Sequence, residues 1–101
     1  MRKIEQDMLN AIANQQNWKC ANTSVCQSDV IGDTETEVYL HGNLIAKRYS
    51  TGFNTAWNNP FIPVVETFRR WPTTTTRSRL RALGINASIK NGEACIDDVP
   101  V

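Results

Sequence analysis

The dipeptide Asn91-Gly92 in "INASIKNGEACI" constrains the fold of this chain more than any other feature. Asn-Gly between two short β-prone runs is the strongest two-residue signal for a type I′ turn, because both central residues must take positive φ. It predicts an antiparallel hairpin in which Lys90 faces Glu93, Ile89 faces Ala94, Ser88 faces Cys95 and Ala87 faces Ile96. Apolar residues then meet on one face, and Lys90 and Glu93 form a salt-bridge pair beside the turn. The closing "VPV" reads as a loose end.

A second hairpin is expected in "EVYLHGNLIAKRYS" (37–50). A three-residue His41-Gly42-Asn43 loop keeps one face apolar, with Leu40 opposite Leu44 and Val38 opposite Ala46. A two-residue Gly42-Asn43 loop would instead bring Lys47 opposite Val38. Before it, "NTSVCQS" (22–28) reads as a short strand and "DVIGDTET" (29–36) as a loop with turn residues Gly32 and Asp33.

Residues 2–16 read as an amphipathic helix. At about 100° per residue, Ile4, Met8, Ala11 and Ile12 share one face, with Leu9 at its edge and Gln6, Asp7, Asn10 and Asn14 opposite. It should end near "NQQNW", with Trp18 starting the return path as a packing anchor. The segment "TGFNTAWNNPFIPVVETF" (51–68) is irregular, because Pro60 and Pro63 exclude a central strand and disfavour a long helix. Its apolar residues, Trp57 and Phe61 among them, either wrap over the core or form a patch for a partner. The order helix, strand, hairpin, irregular segment, helix, hairpin predicts one α+β domain over residues 1–101. Its small antiparallel sheet comprises two hairpins plus one strand, with two helices packed on one face.

Charge sets the functional question. Eleven basic and ten acidic residues nearly cancel, but residues 67–90 hold six basic residues and no acid. In "RRWPTTTTRSRLRALG" (69–84), one of Thr73–Thr76 caps a helix of roughly ten residues and Gly84 ends it. Thr76, Leu80 and Leu83 form its buried face. Arg77 and Arg81 then stand together on the solvent side, one turn apart. Arg79 lies on the flank, its stem packed, within reach of Asp97 or Asp98. Arg69 and Arg70 precede the Trp71-Pro72 step, where the chain is biased towards extended conformations.

These residues support two binding functions. Arg69, Arg70, Arg77 and Arg81 with Trp57, Phe61 and Trp71 would make a protein-binding surface, since Trp and Arg dominate interface hot spots. Alternatively, the arginines and Thr73–Thr76 would bind nucleic-acid phosphates. A solvated basic helix face with no ligand also fits the stretch. No nucleophile–base pair, phosphate-cradling glycine loop or metal-ligand spacing is present. Cys20 and Cys26 are spaced C-x5-C, Cys95 is an odd third thiol, and His41 belongs to a turn. A non-enzyme without cofactor or metal is therefore expected. No apolar run approaches the roughly 20 residues that span a bilayer, and "MRKIEQ", charged on both sides of Ile4, does not read as a signal peptide. A cytosolic protein without membrane partners is expected, and exposed strand edges are compatible with a homodimer.

Two strings together, "VYLHGNLIAKR" (38–48) and "WPTTTTRSRLRALG" (71–84), resemble a pattern in small tailed-bacteriophage proteins. There a YLHGN-x-IA hairpin precedes a TTxSRLxAL helix and follows an N-terminal helix beginning like "MRKIEQ". Against that pattern "NNPFIPVVETFRR" (58–70) looks like an insertion. The resemblance supplies no catalytic residue. It implies a phage accessory product in the host bacterial cytoplasm, of the kind that binds host machinery or blocks defence systems.

Overall fold

The computed structural model describes residues 2–30, 33–51 and 60–101. Helix α1 (Lys3–Ala13) leads into strands β1 (Trp18–Cys20), β2 (Thr23–Val30), β3 (Asp33–Leu40), β4 (Asn43–Thr51) and β5 (Ile62–Pro63). Helices α2 (Val65–Arg70) and α3 (Thr74–Ala82) follow, then β6 (Ala87–Lys90), β7 (Glu93–Ile96) and β8 (Val99–Pro100). The class is α+β, as expected. The hairpins lie in two antiparallel meanders, a five-stranded sheet β1-β2-β3-β4-β5 and a three-stranded sheet β6-β7-β8.

The Asn91-Gly92 hairpin has the register its sequence predicts at all four pairs. Asn91 and Gly92 take φ of 53° and 78°, the positive pair a type I′ turn requires. The chain does not then trail off. Asp97 and Asp98, at φ 52° and 64°, make a second tight turn, and β8 pairs back on β7 with Ile96 opposite Val99. This turn moves Asp98 beside Lys90, at 2.8 Å, in place of the Lys90–Glu93 pair expected across the hairpin.

The first hairpin corrects both loops considered, the three-residue one in length and the two-residue one in position. His41 and Gly42, at φ 53° and 78°, form a two-residue turn, so Leu40 faces Asn43 rather than Leu44. The His41 amide donates to the Asn22 carbonyl at 2.7 Å, tying this turn to the one between β1 and β2. A bulge then leaves Ile45 as an extra residue and returns Val38 opposite Ala46, as expected. It also lets the adjacent Ile45 and Ala46 both be buried, which a regular pleat forbids. The stretch read as a loop at 29–36 is mostly strand. Asp29 and Val30 end β2, and 33–36 begin β3 in continuous register. Asp and Glu are poor β formers, but 33–36 pair with both β2 and β4, and that pairing overrides propensity. Ile31 and Gly32 lie outside the described residues.

Helix α1 stops earlier than expected, at Ala13, with Asn14 as C-cap; the Asn17 side chain instead accepts from the Gln27 amide at 2.7 Å. Pro63 sits in a two-residue edge strand, paired only with β4, where a missing N–H is tolerated. The residues after it form a helix that the prolines obscured. Val64 is the N-cap of α2 and its amide donates to the Ile45 carbonyl at 2.8 Å. Arg69 and Arg70 are thus in the last turn of a helix, not in extended chain. Phe68 from this helix is 1% exposed, so the segment resembling an insertion is part of the core. Complete burial of such a side chain contributes about 1.5–3 kcal/mol.

One hydrophobic core joins the two sheets. Met8 and Ile12 from α1 meet Val25, Val38, Leu40, Ile45 and Ala46 from the larger sheet. Phe68, Leu80, Leu83 and Ile85 lie between these and Ala87 and Ala94 of the smaller sheet; Trp18 and Phe61 pack half-buried against the rim. Helix α3 therefore has one face in the core and one outside, and that division positions the site.

Candidate functional site

Helix α3 is closed at both ends by its own sequence. The Thr73 hydroxyl accepts from the Thr76 amide at 3.2 Å, satisfying one of the orphan donors of the first turn. At the other end, the Gly84 amide donates to Arg81 and the Ile85 amide to Leu80, the paired bonds of a Schellman motif. Gly84 takes φ 88°, which a side chain would resist.

The inner face is Thr76, Arg79, Leu80 and Leu83. Arg79 is not on the flank and meets neither Asp97 nor Asp98. It is 3% exposed, and its Nη1 donates to Glu5 Oε2 of α1 at 2.8 Å while its Nε donates to the Thr23 hydroxyl of β2 at 3.0 Å. The Ser78 hydroxyl donates to the same Glu5 oxygen, and the Arg2 amide donates to the other at 3.4 Å. Burial alone would raise the Glu5 pKa. The hydrogen bonds from Ser78, Arg79 and the Arg2 amide, with the Arg79 charge, outweigh it and hold the carboxyl below its ordinary value of 4.5. The cluster ties α1, α3 and β2 together. Sequence reasoning missed Glu5, whose one signal is its place beside the Met8–Ile12 stripe on the helical wheel.

The outer face is a groove of about 700 Å³ between the N-terminal segment, α3 and β6. Arg77 and Arg81 line it, as their shared face predicts, together with Arg2 and Lys90, which sequence reasoning did not place there. Arg81 is not entirely free, because its Nη1 donates to the Ala87 carbonyl at 3.0 Å. The Arg77 side chain makes no hydrogen bond or ion pair among the described residues.

The remaining predicted residues form a separate patch around α2. Trp71 is 43% exposed, with the Arg70 guanidinium 5.3 Å from its ring centre. Arg69 pairs with Glu66 at 3.7 Å across solvent. Trp71 also borders a hollow shared with Leu40, Ile45 and Thr75. Neither hollow at Trp71 shares a lining residue with the Arg77–Arg81 groove. Phe61 is half-buried, covered by Arg48 at 4.7 Å, so it supports the core rather than standing free. Trp57 lies outside the described residues.

No helix among the described residues is long and apolar enough to cross a membrane. No curated protein and no solved structure matches the chain. The model of the Kyanoviridae Gp96 protein family, by contrast, matches residues 1–100. Nearly the whole chain is covered, so this is a member of the Kyanoviridae Gp96 family, a small bacteriophage protein family.

Proposed function

We propose that this phage accessory protein is a non-enzymatic binder of a host or phage protein in the host bacterial cytoplasm, engaging it through the patch around α2. One observation carries the reading: Ile62, Val65 and Trp71, three large apolar side chains on one short segment, are each at least 40% exposed. Arg70 stacks on the tryptophan. An aromatic anchor with an arginine beside it is the composition of an interface hot spot.

The test is reconstitution. A protein captured from host lysate is purified and titrated against wild type, Trp71→Ala and Arg77→Ala/Arg81→Ala. Loss of a hot spot costs about 2 kcal/mol or more, so Trp71→Ala should weaken binding by about 30-fold while the double variant binds normally. A partner bound equally by wild type and Trp71→Ala would remove this surface from consideration.

A further inference from the structure

We propose that the groove between α3 and β6 binds the phosphodiester backbone of nucleic acid, without reading base sequence. This activity is separate from protein binding at α2. Four cations from three parts of the chain converge on the groove: Arg2, Arg77, Arg81 and Lys90. Among its described lining residues Glu5 is the only carboxylate, its charge already met by the buried Arg79 at 2.8 Å, and Asp98 offsets only Lys90, leaving Arg2, Arg77 and Arg81. The field in the groove is therefore positive although the whole chain carries only +1.

The contacts available are those proteins use on phosphates, namely guanidinium and ammonium groups, hydroxyls and a helix N-terminus. Thr74 opens α3 at the groove, and the first turn of that nine-residue helix holds no acid. Its amide ends and macrodipole favour an anion there. Arg77 in the same turn opposes that dipole, a conflict that a bound phosphate relieves. Arg81 spends one donor on the Ala87 carbonyl, which orients the guanidinium and leaves its other donors available. Lys90 is held by Asp98, but both side chains are more than half exposed, and an exposed pair exchanges at little cost. Ser88 lines the groove, and its enclosed hydroxyl has no partner among the described residues, an exception among buried polar groups.

Charge alone would also admit an acidic protein segment, but the lining argues against one. Among the described residues Ala82 and Ile89 are its only apolar members and none of the lining is aromatic. Protein interfaces centre on aromatic anchors and are depleted in lysine. This lining has a second consequence: its described residues offer no platform for base stacking, so duplex and single strand should be bound without base preference.

Fluorescence anisotropy of labelled duplex and single-stranded oligonucleotides, from about 50 to 200 mM salt, tests this. We expect weak binding, with Kd of about 10⁻⁴ to 10⁻⁶ M near physiological salt, and a slope of log K against log salt of about −2 to −4. Arg77→Ala and Arg81→Ala should each weaken all sequences alike and reduce the slope by about one. Arg77→Lys should retain most binding, and Trp71→Ala all of it. Thermal melting checks that each variant is folded. Absent binding at low salt, a flat salt response, or an Arg77→Ala variant that binds like wild type would overturn the proposal. Equal binding of polyglutamate would also overturn it, in favour of an acidic partner. Because Trp71→Ala separates the two surfaces, failure here leaves protein binding at α2 standing, and the converse.

Discussion

Arg77 and Arg79 stand two residues apart on one nine-residue helix and face opposite environments. Arg79 points into the protein, where Glu5 and Thr23 occupy its donors. Arg77 points into an open groove with no partner among the described residues. A count of arginines treats them alike. The difference shows that a basic segment has two currencies: charge consumed inside by pairing, which fixes the fold, and charge left outside, which can meet a ligand. Arg81, tethered to the Ala87 carbonyl, and Arg70, stacked on Trp71, both stay on the outside.

The largest effect that would test this contrast is on stability. Arg79→Met leaves the Glu5 carboxylate buried without its counter-charge and should cost about 3–5 kcal/mol. The double variant Glu5→Leu/Arg79→Met should recover most of that loss, because an apolar pair of similar volume often replaces a buried ion pair at no net cost. Urea unfolding of the wild type, the single variants and the double variant measures the coupling. Additive losses would mean that the pair is not coupled and that Arg79 is only a packed stem.

A smaller effect follows from pH. The Glu5 pKa is lowered in the folded protein, so its contribution is fully present above the ordinary glutamate value and is lost as pH falls through the lowered folded value. Wild type should therefore lose thermal stability on acidification below about pH 4.5, more steeply than Glu5→Gln, which has no such proton to bind. Parallel melting curves against pH would assign the acid sensitivity to other carboxylates.

At the cap, Thr73→Ala should cost about 1 kcal/mol, a fall in Tm of about 4–8 °C for a domain near this size. Thr73→Ser should restore it. On the outer face, Arg77→Ala should change stability by less than about 0.5 kcal/mol, in the upward direction because of its place in the first turn. A loss as large as that of Arg79→Met would erase the distinction between the two faces.

Local features were legible before the structure. The limits of α3, its threonine cap and its terminal glycine, and the whole β6–β7 register followed from residues within a few positions of each other. The pairing of Arg77 with Arg81 on one face followed from the helical period alone. What escaped was non-local. The prolines disfavoured a long helix and left the six residues of α2 read as irregular, and only the burial of Phe68 shows what α2 contributes. The bulge at Ile45 is invisible in a strand whose residues suit either register. Arg2 and Lys90 joined the candidate groove because α1 and β6 flank α3 in space, with no trace in their spacing.

By itself the sequence determined the short-range elements of this protein, since a capping hydroxyl, a positive-φ turn and a 3.6-residue period all act over a turn or two of chain. The tertiary structure alone decided which charges are consumed. Glu5 and Arg79 are 74 residues apart, and the pair exists because α1 and α3 both pack on the same core. Burial makes that partnership obligatory, and it leaves the neighbouring outer arginines as the charge available to a ligand.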